Sequence, residues 1–120
     1  MFEHQADNLR SWSALFHSYK LHGRCDDGAA AEGYSESVAR ILVDHWDTLS
    51  RLAELAEQDA GFRRFVYGHI DATLATKDLE KISANAKDSC PRGLRPLCSN
   101  LNKEADAAIR EGTTHEQKKN

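Results

Sequence analysis

Apolar side chains return every three or four residues through almost all of this 120-residue chain, and that spacing commits it to helices packed on one another. Leu9, Trp12, Leu15, Phe16 and Tyr19 make the first stripe, and Gly23 stands where that helix should end. The longest stripe begins near Ser35. Val38, Ile41, Leu42, His45, Trp46, Leu49, Leu52, Ala53 and Ala56 share one face, which predicts one helix of about 20 residues, roughly 30 Å long. Its other face carries Glu36, Arg40, Asp44, Asp47, Arg51 and Glu54. There Glu36/Arg40, Arg40/Asp44 and Asp47/Arg51 are oppositely charged i,i+4 pairs, the mark of a solvated surface.

Asp59 is a good N-cap for a third helix, with Phe62, Phe65, Val66, His69 and Ile70 inward. Thr76 is expected to cap a fourth, with Asp78 in its first turn and Leu79, Ile82 and Ala86 inward. The break Cys90-Pro91-Arg92-Gly93 precedes a fifth, in which Leu94, Leu97, Cys98, Leu101, Ala105, Ala108 and Ile109 keep the stripe. Pro96 fits only within its first turn, and Gly112 is expected to close it. No stretch alternates as a strand does. The expected fold is all-α: a single-domain bundle of about five helices over residues 1–112, with a flexible polar tail over 113–120.

Composition narrows the function classes. Hydrophobic residues at 40% supply a core, so a wholly disordered chain is excluded. No apolar run approaches the roughly 20 residues that span a bilayer. A net charge of -3 argues against a nucleic-acid partner, which calls for a strongly basic surface. Arg92, Arg95 and Lys103 form one basic cluster and Arg63-Arg64 another, but the aromatics do not interleave with them as a stacking platform requires. Charge is unevenly placed: residues 1–61 hold 5 basic and 11 acidic side chains, and residues 62–120 hold 11 basic and 8 acidic. An acidic first half and a mildly basic second half suit a polar partner surface or a head-to-tail self-contact.

The segment from His22 to Tyr34, with Gly23, Gly28 and Gly33 and acids between, reads as an ordered connector whose aspartates cap the next helical turn. It is not a phosphate-binding loop, since no Gly-Lys-Ser/Thr follows. It is not an EF-hand, since Gly23 would stand where the first carboxylate belongs. His22, Cys25, Cys90 and Cys98 have zinc-ligand chemistry, but Cys-x7-Cys is unlike the short knuckles of structural zinc, so no metal and no cofactor are expected. The six histidines form no motif; His45 and His69 on apolar stripes read as hydrogen-bonded core residues. Of the three cysteines, Cys90 and Cys98 are a disulfide candidate if Pro91, Gly93 and Pro96 bend the chain between them; three reduced thiols are the alternative.

Three stretches carry a resemblance. Cys25-Asp26-Asp27-Gly28 running to Glu32-Gly33-Tyr34-Ser35, then Phe62-Arg63-Arg64-Phe65-Val66 with His69-Ile70-Asp71-Ala72-Thr73, then Cys90-Pro91 with Leu97-Cys98, resemble small helical proteins of proteobacteria often found with an export signal. The resemblance implies a bacterial source and a periplasmic home, and it brings no activity with it. Met1-Phe2-Glu3-His4 opens the chain without a basic or apolar leader. The expected location is therefore periplasmic if Met1 begins an already processed chain, and cytoplasmic otherwise.

The functional expectation is a non-catalytic protein that binds another protein, most concretely an immunity protein that occludes the basic cleft of a toxin or secreted effector. Its expected contacts are Asp26, Asp27, Glu32 and Tyr34, with Asp44 and Asp47 on the rim. Two alternatives stand beside it. One is a small thiol- or metal-dependent enzyme centred on Cys25. The other is a homodimeric structural protein that hides apolar surface such as Leu21 and Tyr67.

Overall fold

The computed structural model describes the backbone of residues 9–22 and 28–119, and the side chains of 9–22 and 31–112. Every regular element among them is helical: α1 Trp12–His22, α2 Gly28–Asp44, a 3-10 turn Trp46–Thr48, α3 Leu49–Gln58, α4 Ala60–Gly68, α5 Thr76–Asp88 and α6 Arg95–Lys119. The all-α expectation holds. The count is six α-helices among the described residues instead of about five, because the long second helix is two.

The break falls at His45, whose φ of -131° and ψ of 42° leave the helical region. An unbroken helix would bury His45 and Trp46 beside Ile41 and Leu42. Instead His45 is exposed, and Trp46 is half-buried with its indole N–H donating to the Ser89 carbonyl at 2.8 Å. The carbonyl of Leu42, near the end of α2, is taken by Asn85 Nδ2 at 3.2 Å, and Thr48 Oγ1 donates to the His45 carbonyl at 2.7 Å. Free helix-end carbonyls are thus partnered from across the core as well as locally. The bend sends α2 against α5 and α3 against α1 and α4. It also removes the expected Asp47/Arg51 pair: Arg51 meets Glu54 at 3.1 Å and Ser13 at 3.0 Å.

Three further boundaries differ from expectation. The His22–Tyr34 segment was expected as a connector, yet α2 starts at Gly28, where three alanines with the highest helix propensity extend it. Ala75, not Thr76, occupies the N-cap of α5 and offers no side-chain cap. α6 passes through Gly112 to Lys119: Gly112 does not take the positive φ that would cap the helix, and a lone helical glycine costs only about 1 kcal/mol. Asp59 caps α4 as expected, accepting from Phe62 N at 3.0 Å. That bond, then the one from Lys20 on α1, holds the Asp59 carboxyl below its ordinary range.

The core runs through Trp12, Leu15, Tyr34, Ile41, Leu42, Leu52, Phe62, Ile82 and Leu101. The radius of gyration, 13.8 Å, is close to the ~14 Å of a compact chain of this length. At the α1–α4 contact, Phe62 meets Phe16 edge-on at 5.0 Å and Tyr19 at 5.4 Å. Gly61 makes this approach possible, because a Cβ there would lie 2.5 Å from Tyr19 Oη and 3.1 Å from Asp59 Oδ1. Gly61→Ala should therefore lower stability by about 1–2 kcal/mol, overpacking outweighing the gain in helix propensity. Adding Tyr19→Phe should recover most of the loss in thermal melts, and no recovery would place the cost elsewhere.

Candidate functional site

Residues at four-residue intervals on a helix are neighbours, so Glu32, Glu36, Arg40 and Asp44 form a row along the outer side of α2. The row is organised by Arg40. Its guanidinium pairs with Asp44 at 3.2 Å and, across to α5, with Asp78 at 2.6 Å. Nε lies 3.1 Å from Glu36 Oε2, a charge contact whose alignment falls short of a hydrogen bond. Burial works against this cation, but the Asp78 hydrogen bond and the three carboxylates outweigh it and hold the guanidinium above its ordinary range. One cation thus faces three acids. Glu32, exposed, continues the row one turn before Glu36, and Asp47 is exposed in the 3-10 turn that follows α2.

The expected contact residues divide accordingly. Glu32, Asp44 and Asp47 are all exposed; Glu32 and Asp44 belong to the α2 row, and Asp47 lies in the 3-10 turn beyond the break at His45. Asp26 and Asp27 lie outside the described residues, as does Cys25, the centre of the enzyme alternative. Tyr34 is a correction: expected at a partner surface, it is fully buried. With α2 begun at Gly28, Tyr34 falls one turn before Val38 on the core stripe, its ring edge-on to Phe65 at 5.0 Å and its hydroxyl 2.7 Å from Ser18 Oγ. Arg40 and Asp78 were not expected at the site. The Glu36/Arg40/Asp44 spacing was visible, but no local signal joins Asp78 to it across 38 positions.

A second polar cluster is internal. Ser35 Oγ lies 2.8 Å from His69 Nδ1 and donates to Asp71 Oδ2 at 2.8 Å. A hydroxyl has one proton, so while Ser35 donates to Asp71 it accepts from a proton on His69 Nδ1. Asp71 also accepts from Thr73 N at 3.0 Å and from the Thr73 hydroxyl. In an activated serine, the imidazole takes the hydroxyl proton. Here the serine gives it to the carboxylate, and Ser35 is only 1% exposed. The trio ties α2 to the turn after α4, and His69 is the hydrogen-bonded core residue its stripe predicted.

Cys90 and Cys98 are at disulfide-bonding distance, with Cα atoms 6.0 Å apart. The bend between them is a turn in which Leu94 N donates to the Pro91 carbonyl at 3.2 Å and Gly93 takes φ 85°. That positive φ belongs to the third position of a type II turn and suits glycine. The pair uses both sulfurs, so the His22/Cys25/Cys90/Cys98 zinc set does not form while it is oxidised. Among the described residues no group of three or more His, Cys, Asp or Glu is arranged to hold a metal, and no helix is long and apolar enough to cross a membrane.

These features define a helical bundle with an acidic edge and a disulfide-closed hairpin. No family model, curated protein or solved structure matches the chain.

Proposed function

We propose that this chain is a non-catalytic bacterial protein-binding protein, most concretely a periplasmic immunity protein that occludes the basic active-site cleft of a toxin or secreted effector. The observation that carries the reading is the acidic edge of Glu32, Glu36, Asp44 and Asp78 around the Arg40 guanidinium, with Asp47 exposed in the 3-10 turn beyond it. The surplus of carboxylates gives a field that draws a basic surface into encounter, while the Arg40 contacts hold the side chains of Glu36, Asp44 and Asp78 in place before the partner arrives. The cysteine pair is compatible with an oxidising compartment, which supports the periplasmic placement.

The test is binding to the product of the neighbouring reading frame, measured by calorimetry at several salt concentrations. Glu32→Lys with Asp47→Lys leaves the Arg40 contacts intact. The double reversal should weaken the complex at least about tenfold and flatten its salt dependence. Equal affinity would remove this edge from the interface, and a neighbouring product that is neither bound nor inhibited would end the immunity reading.

A further inference from the structure

The junction of α5 and α6 contains an opening of about 400 Å³ that both cysteines line, together with Lys87, Asp88, Arg95 and Ser99. We propose that this opening is a thiol-exchange site, at which an anionic low-molecular-weight thiol of the glutathione class opens the Cys90–Cys98 disulfide and stays on Cys90. The inference is independent of the protein-binding reading.

Access selects the sulfur. Cys90 is half-buried on the opening, whereas Cys98 is only 3% exposed. The incoming thiol loses its proton to solvent, and its thiolate donates an electron pair to Cys90 Sγ. A new sulfur–sulfur bond forms as the Cys90–Cys98 bond breaks, and that bond's electron pair leaves on Cys98 Sγ as thiolate. The incoming sulfur is oxidised to the mixed disulfide while Cys98 is reduced, so the step needs no other reactant.

Position favours the leaving group. Cys98 is the fourth residue of α6, and its Cβ tilts toward the N-terminus of the helix, where partial positive charge stabilises a thiolate. Arg95 stands one turn before it on the same side. Lys87 and Arg95 are exposed at the opening, and Asp88 is the one carboxylate lining it, so the rim carries a net positive charge. A small thiol bearing carboxylates is the ligand this rim fits, whereas an uncharged thiol of similar size gains nothing from it.

The experiment compares glutathione with uncharged β-mercaptoethanol as reductants of the native protein in a Cys25→Ser background, which removes the competing thiol. The ratio of the two rates cancels the behaviour of the disulfide itself, and Lys87→Glu with Arg95→Glu isolates the rim. The ratio should fall about five- to tenfold in the double variant, and the fall should shrink in high salt. After quenching with iodoacetamide, peptide mapping should place glutathione on Cys90 and the alkyl group on Cys98. An unchanged ratio, glutathione on Cys98, or a disulfide that reacts only in urea would each overturn the proposal.

Discussion

Phe62→Ala should be the most damaging single truncation at the α1–α4 contact, lowering stability by about 3–5 kcal/mol. The ring is fully buried and meets Phe16, Tyr19 and Phe65 with centroids 5.0, 5.4 and 6.1 Å away. Those neighbours come from two helices whose spacing is fixed elsewhere. Lys20 bonds to Asp59 at 3.2 Å, Arg51 bonds to Ser13, and the Asp59 cap sets the start of α4. The space therefore cannot collapse cheaply, and the cavity adds to the lost transfer energy. Against a total of about 5–15 kcal/mol for a domain, the loss is large and should lower the melting temperature by roughly 10–25 °C. Phe62→Leu should cost far less, because it refills most of the volume. A loss below about 1.5 kcal/mol for the alanine variant in denaturant titration would mean that the aromatic contact is not packed as described.

Ser35→Ala is expected to cost about 2–3 kcal/mol, although it removes one atom and opens almost no cavity. The cost comes from what remains: the Nδ1–H of His69, a residue only 5% exposed, loses its Ser35 partner, and the Asp71 carboxylate loses a donor. Asp71 is half-buried and keeps its bonds from Thr73, which holds the cost below that of a sealed charge. Combining Ser35→Ala with His69→Phe should cost less than the sum of the two single changes, because the Ser35–His69 bond is then lost only once. Strict additivity in that cycle would deny the coupling. The substitutions of Glu32, Asp47, Lys87 and Arg95 change exposed side chains, so their effects should appear in binding and rate with little change in stability.

The relation of sequence to structure is clearest at Tyr34. Its ring belongs to the same stripe as Val38 and Ile41, but the glycines before it, Gly28 and Gly33, read as a turn. Gly33 is buried inside α2, where packing of the stripe outweighs the propensity cost of two glycines. The reverse occurred at His45, where an unbroken apolar period predicted one helix. The chain bends there because Trp46 finds the Ser89 carbonyl and Leu42 finds Asn85, both more than 40 positions away. The acidic row was legible because i,i+4 spacing is local. Asp78, which completes the charge contacts around Arg40, was not.

Periodicity, capping and turn chemistry act within one or two helical turns, so the order of residues alone determined the all-helical class, the Asp59 cap, the Gly93 turn and the inward faces of most helices. Which helices touch, where the long stripe breaks, and that Ser35, His69 and Asp71 share one hydrogen-bond chain were decided only by tertiary packing. Those contacts join groups with no local relation, and their energies exist only once the core has excluded water.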